Sequence, residues 1–340
     1  MKAIVLCAGR GERFRPVTEA IPKPLFPFLN VPLVSAQLRR LREAGVGEVA
    51  INLHHLGDQI ERHLRDQPVD SPQLSFFEES RILGTAGALR NAASFLADGD
   101  FLVVNADAAV APDFARLIAR HRETGRAATL LVVENRDPDH YTPLQAEGDR
   151  IAAFGIHAPA SLLYTGVCVL APRLLSRIPT GETSLVADLW QPLLREEREE
   201  IGWLRHEGPF ADLGLPRDFL RASLEALERR GPFPDGGTYD DGSRVLSREA
   251  PRGFDASLSV LGRVSVGEGV AIQRSTLWDG VSVGARARLA DCVVARGAVP
   301  AGCHYEKALL WSADGGTVSA YPLEGPVGNA HGVQPLSPRL

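Results

Sequence analysis

The chain has 340 residues, 44% of them hydrophobic and 23% charged, which is enough for two domains with substantial cores. No stretch has the run of apolar residues that crosses a bilayer, and a formal charge of -5 with no local block of Lys and Arg excludes non-specific nucleic-acid binding. The partners implied are small molecules and other protein chains. Cys7, Cys168, Cys292 and Cys303 are scattered without a CxxC pair, so they read as small buried hydrophobes of a reducing, cytoplasmic compartment.

The first element, Lys2 to Cys7, is a short apolar run too abruptly ended by charge for a signal peptide or a span, and it suits a buried parallel strand. Gly9 and Gly11 follow, where successive N–H groups can close on an anion, and Arg13, Arg15 and Lys23 add three cations nearby. The pattern points to phosphate. The dinucleotide fingerprint would need a third glycine where Phe14 stands, and the Gly-Lys-Ser/Thr of a Walker A loop is absent. An ordinary glycine turn beside surface arginines is the alternative, but Pro22 and Pro24 fix the backbone on either side of Lys23 and hold its ammonium in place. The whole string resembles the N-terminal signature of the sugar-1-phosphate nucleotidyltransferases, G-x-G-x-R…P-x-T…P-K-P, with Gly9, Gly11, Arg13, Pro16, Thr18, Pro22, Lys23 and Pro24 matching. The resemblance implies that Arg13 and Lys23 are catalytic and that Leu6, Ala8, Gly9 and Gly11 bind nucleotide.

Further along, residues 32 to 44 read as an amphipathic helix begun by proline and ended at Gly45, and Glu48 to Leu53 as a second strand. A helix from Gly57 to Leu64 and a strand from Leu74 to Phe77 continue the alternation, which predicts an α/β, doubly wound, mostly parallel Rossmann-like sheet. His54 and His55 at a strand end cannot easily share one metal ion, because adjacent strand residues point to opposite faces. Glu78 to Leu89 then leads into a helix whose first N–H groups are expected to be free for a ligand. A plain glycine-rich helix entry is the other reading. LGTAGAL resembles the family's second motif, most strongly that of mannose-1-phosphate guanylyltransferases. It implies nucleotide contacts from Glu79, Gly84 and Thr85, with Glu79 accepting from a guanine edge.

Phe101 to Val104 is an apolar strand ending at Asn105-Ala106-Asp107, where a carboxylate beyond the strand can hold a hard cation through oxygen; a helix cap is the alternative. The family usually has Gly-Asp here, and Ala106 is tolerable at negative φ. A helix from Asp113 to Thr124 and a strand from Ala127 to Val133 follow. Most relatives then carry Glu-Lys-Pro, binding sugar hydroxyls and sugar phosphate. This chain has Ile156-His157-Ala158-Pro159 after Phe154-Gly155 and so lacks both charged groups, as does a branch of the family resembling N-acetylmuramate-1-phosphate uridylyltransferase. His157 is a candidate phosphate contact or simply a solvated loop residue. In the strand Tyr164 to Leu170, Gly166 is the expected sugar-binding position, and Tyr164 stands where relatives often have Asn. Leu185 to Glu197 reads as helical. Gly208 to Pro216 resembles G-x-W-x-D-x-G-T-P, with Phe210 for Trp and Leu215 for Thr. Asp212 then joins Asp107 as a ligand of Mg²⁺, the cofactor that the resemblance implies.

A helix from Arg217 to Arg230 closes the expected catalytic domain, residues 1–230, and a Gly/Pro/Asp-rich linker is expected over 231–255. Val260, Val266 and Ile272 lie six residues apart, and after a one-residue slip so do Leu277, Val283 and Leu289. That period predicts a short left-handed parallel β-helix over 256–310, resembling the hexapeptide-repeat tails of many sugar nucleotidyltransferases. Such tails usually form homo-oligomers. An acyltransferase would need more coils and a better catalytic histidine than His304. Residues 311–340 stay unassigned. The expected reaction joins a nucleoside triphosphate to a sugar 1-phosphate, best GTP with mannose 1-phosphate. The alternatives are UTP with an amino sugar 1-phosphate such as N-acetylmuramate 1-phosphate, and a silent nucleotide-sugar-binding paralogue.

Overall fold

The computed structural model describes residues 1–66, 72–155, 161–196, 201–230, 236–249 and 253–324. The chain divides into two compact units: Met1–Gly9 with Val34–Phe210, and Arg10–Leu33 with Ala211–Leu340. The signature loop therefore belongs to the same unit as the C-terminal repeat. Among the described residues no helix is long and apolar enough to cross a membrane.

The first unit is built on a nine-stranded sheet. Its strands are β1 (Lys2–Leu6), β2 (Glu48–Leu53), β3 (Gln73–Glu78), β4 (Phe101–Asn105), β5 (Ala128–Glu134), β6 (Leu144–Glu147), β7 (Arg150–Phe154), β8 (Leu162–Leu170) and β9 (Ile201–Arg205). They run in the order β3-β2-β1-β4-β8-β5-β9-β7-β6. The four strands from β3 to β4 are parallel, as continuous apolar runs predict, and β8 enters antiparallel between β4 and β5. Helices α1 (Leu33–Glu43), α2 (Gly57–Arg65), α3 (Gly84–Asn91) and α4 (Phe114–Thr124) alternate with these strands. The Asp113 carboxylate caps α4 by accepting from Arg116 N at 2.9 Å. Ile4, Ala50, Val103, Leu130, Cys168 and Trp190 are among the buried residues of one core. Because β1, β2 and β3 are parallel, Cys7, Asn52 and Glu79 all emerge at one edge of the sheet, where ligands of open α/β sheets bind.

The second unit stacks parallel coils. Leu261 pairs with Leu277, and Leu277 with Val294; Val266 pairs with Val283, and Val283 with Val299; Ile272 pairs with Leu289, and Leu289 with Tyr305. Three such ladders make a parallel β-helix. The slip after Ile272 recurs after Leu289, and so is a regular corner of each coil. Thr238–Asp240 and Val245–Ser247 lie within the stretch expected to be linker, yet both are strands of the seven-stranded ladder, Val245 pairing with Ser259. Beyond Trp311, the strand Ser319–Pro322 closes the ladder antiparallel on Ala308–Trp311. Leu227, from helix α5 (Pro216–Glu228), packs with Leu246 and Val260.

Candidate active site

In the second unit, Gly11 is left-handed at φ +62°, and a Cβ there would come within 2.8 Å of Thr18 Cγ2 and 3.6 Å of Lys23 Cβ. Thr18 Oγ1 donates to Gly11 O at 3.0 Å. The Gly, Thr and Lys of the signature thus pack on one another, which explains why the motif needs all three. Lys23 is buried, with 6% of its side chain exposed, and its Nζ lies 3.9 Å from Asp212 Oδ1. An Arg13 Nη lies 3.4 Å from Asp212 Oδ2. The Arg13 guanidinium rests on Gly214, where a Cβ would approach to 2.4 Å. A buried ammonium requires a counter-charge. Asp212 supplies it, and the loop so made gathers two cations around one carboxylate.

In the first unit, Asn52 links three strand ends. Its Oδ1 accepts from Cys7 N at 2.7 Å, and its Nδ2 donates to Glu79 Oε1 at 2.7 Å. Glu79 is buried, and its other oxygen accepts from Leu83 N at 2.9 Å. Glu79 therefore holds the 79–83 loop against β1 and β2 through both carboxylate oxygens. The α3 start differs from expectation. Ala86 N and Gly87 N donate to Thr183 O at 3.0 and 3.5 Å, and Thr85 Oγ1 accepts from Leu185 N at 2.9 Å. These groups are not free for a ligand, because residues 183–185 dock on the helix start. Gly84, at φ +73°, is required for that docking, since a Cβ would lie 2.3 Å from Thr183 O.

Asp107 follows β4, and Ala106 N donates to Leu6 O at 3.2 Å, tying that turn to the end of β1. Ala106 is not left-handed, so alanine in place of the usual glycine meets no backbone penalty. Gly166, at φ +82°, accommodates Asn105: a Cβ would fall 2.5 Å from Asn105 Nδ2. Tyr164 Oη donates to Cys168 Sγ at 3.1 Å and its ring packs on the core, so it serves the scaffold. Leu6 ends β1, Ala8 is buried, and a Cβ added at Gly9 would meet nothing within 4 Å. His157 and the surrounding 156–160 lie outside the described residues.

Neither buried thiol of this unit is set up as a nucleophile. Burial pushes the Cys7 thiol up, with the Asp107 carboxylate adding to it, and burial pushes Cys168 up to about 12. Among the described residues no group of three or more His, Cys, Asp or Glu is arranged to hold a metal. Asp107, in the first unit, and Asp212, in the second, each carry the hard carboxylate oxygens that Mg²⁺ takes. Asn52, Thr183 and Asn105 are the site-forming residues that sequence reading passed over. A polar Asn inside the apolar strand EVAINL was the available signal for the first.

The Nucleotidyl transferase family matches residues 2–229. The chain is 29% identical over 313 residues to mannose-1-phosphate guanylyltransferase catalytic subunit beta of Danio rerio, covering 86% of each chain. It is 28% identical over 312 residues to mannose-1-phosphate guanylyltransferase of Mycobacterium tuberculosis, covering 86% of this chain and 83% of that one. Its fold is like that of UDP-glucose pyrophosphorylase from Acinetobacter baumannii, with TM-score 0.58 at 21% identity over 67% of this chain and 94% of that one. The family match includes every residue from Gly11 to Asp212 that gathers around the signature loop, and the chain therefore belongs to the nucleotidyl transferase family as an enzyme that transfers a nucleotidyl group to a sugar 1-phosphate.

Proposed function

We propose that this enzyme joins GTP and mannose 1-phosphate to give GDP-mannose and pyrophosphate. The observation that carries this reading is the packed Gly11–Thr18–Lys23–Arg13–Asp212 loop, in a chain whose guanylyltransferase relatives match it through the C-terminal repeat as well. A sugar phosphate with a second pKa of about 6 is largely a dianion at neutral pH and needs no general base. One of its oxygens attacks the α-phosphorus in line. The new P–O bond forms as the bond from the α-phosphorus to the bridging oxygen breaks, and pyrophosphate leaves with that oxygen and its electron pair.

The protein's task is positioning and charge. Arg13, with the Gly9 to Gly11 backbone, holds the leaving pyrophosphate, and Lys23 neutralises the charge around the α-phosphate. Gly84, Thr85 and Glu79 shape the loop that receives the base, with Leu6 and Ala8 at the strand end beside it, and Gly166 sets the sugar-side wall through Asn105. Asp107 and Asp212 would hold Mg²⁺, which supplies neutralisation of phosphate charge when bound. The tail is proposed to join copies of the chain into a homo-oligomer, and the buried free thiols suit a reducing cytoplasm.

The test is pyrophosphate release from GTP and mannose 1-phosphate with and without a chelator. Activity should vanish with EDTA, return with Mg²⁺, and fall at least about 10²-fold in Asp107→Asn and in Asp212→Asn. Full activity in either variant would remove the metal assignment.

A further inference from the structure

The signature loop is not supported by its own strand alone. Phe14, between Arg13 and Arg15, stacks edge-on against Phe26 at 4.8 Å and Phe219 at 6.1 Å. Trp278, on the β-helix, lies 4.9 Å from Phe26 and 5.7 Å from Phe219. Phe28 joins the same cluster through Phe219 at 5.9 Å. Trp278 is buried, and its Nε1 has no hydrogen-bond partner among the described residues. An indole that leaves its N–H unsatisfied is kept for its ring, because that N–H costs stability.

A second anchor holds the far end of the loop. Asn30 is buried and left-handed, and its Nδ2 donates to Gly236 O and to Leu261 O, each at 2.9 Å; Arg248 donates to Asn30 O. Leu261 is a strand residue of the β-helix. Lys23 lies between Phe14 and Phe26 of the aromatic anchor and seven residues before Asn30.

We propose that the β-helix is a working part of the phosphate site, with Trp278 and Asn30 as positioning residues that fix the Gly11–Lys23 loop so that Arg13 and Lys23 meet the phosphates. This rests on the reading of those two cations as phosphate ligands, and it is a role for the repeat separate from oligomerisation. The physical reason is pre-organisation. Cations on a short loop stabilise a transition state only if their positions are set beforehand, and aromatic packing sets them at low entropic cost.

The experiment uses the full chain and compares Trp278→Ala, Trp278→Phe and Leu289→Ala, the last a buried β-helix residue outside the aromatic cluster. Trp278→Ala should speed amide exchange in residues 10–26 about tenfold or more and leave residues 84–96 unchanged. It should lower kcat/KM for GTP about tenfold while the KM for mannose 1-phosphate stays within about twofold. Trp278→Phe should restore both readouts to within about threefold, since a ring remains. Leu289→Ala should lower the Tm without moving either. If Trp278→Ala does not fold, Trp278→Leu carries the same expectation. Equal effects from Leu289→Ala, or unchanged exchange in residues 10–26, would overturn the proposal. Lys23→Ala measured alongside separates the two claims: full activity there, with a loosened loop in Trp278→Ala, would sink the phosphate reading and leave the support intact.

Discussion

Gly214 lies directly beneath the Arg13 guanidinium, so close that a methyl group at 214 would come within 2.4 to 2.7 Å of three of its atoms. The atoms displaced are the far end of a flexible chain, half exposed, so the fold can yield by moving Arg13. Gly214→Ala should therefore leave the Tm nearly unchanged yet lower kcat/KM for GTP by about tenfold to a hundredfold, approaching Arg13→Ala. Circular dichroism melting beside steady-state kinetics checks this. A large Tm loss with intact kinetics would contradict it.

Two glycines of the motifs should behave oppositely. At Gly84 the added Cβ meets the Thr183 carbonyl at 2.3 Å and φ is +73°, so backbone must shift. Gly84→Ala is expected to cost about 3 kcal/mol or more of stability. Nothing stands within 4 Å of a Cβ at Gly9, so Gly9→Ala should melt like the native protein and lose nucleotide affinity about tenfold. Differential scanning calorimetry with GTP titration distinguishes the two outcomes.

The Asn52–Glu79 contact makes a third expectation. Asn52→Ala leaves the buried Glu79 carboxylate without one donor and Cys7 N without its acceptor. The loss should be roughly 2 to 4 kcal/mol, because both orphaned groups are buried and one is charged. Asn52→Asp should be at least as damaging, placing a second carboxylate against Glu79. Urea unfolding of the two variants measures this, and a loss below about 1 kcal/mol would mean that water replaces the contact.

Much of this was legible in the residues. Continuous apolar runs gave strands at Lys2–Leu6, Glu48–Leu53 and Phe101–Asn105, and the spacing from Val266 to Leu289 gave the coils, because these patterns reflect burial that depends on local sequence; the period missed by one at its start, where Leu261 and not Val260 faces the coil core. The N-terminal signature marked Arg13 and Lys23, and the motif at Gly208 to Pro216 marked Asp212. What it could not mark were partners fixed only by tertiary contact: Thr183 closing the α3 start, Asn105 filling the space above Gly166, and Trp278 behind Phe26. Composition also misled over 238–247, where turn-rich sequence carries short strands that pair because a neighbouring coil supplies their hydrogen bonds.

Stability should fall on acidification. His121 is buried, with Nδ1 2.9 Å from Thr129 Oγ1, and burial pushes its pKa down despite Asp100, whose Oδ2 lies 3.5 Å from Nε2. Burial lowers His63 and His206 as well. The folded chain thus binds fewer protons than the unfolded one below about pH 6.5, so stability is fully present above that value and is lost as pH drops through it. Tm should decrease between about pH 7.5 and 5.5, and His121→Gln should flatten the slope. A Tm that climbs on acidification would reverse the sign of the argument.

The most direct test of the central claim is pyrophosphate release with Mg²⁺ over GTP, UTP, dTTP, ATP and CTP against mannose, glucose, N-acetylglucosamine and N-acetylmuramate 1-phosphates, with Lys23→Ala run beside the native chain. Release should be greatest with GTP and mannose 1-phosphate and fall at least about a hundredfold in Lys23→Ala, the scale of a lost charged contact of roughly 2 to 4 kcal/mol. Release greatest with UTP and an amino sugar phosphate would contradict the substrate assignment, and unchanged release in Lys23→Ala would contradict the mechanism.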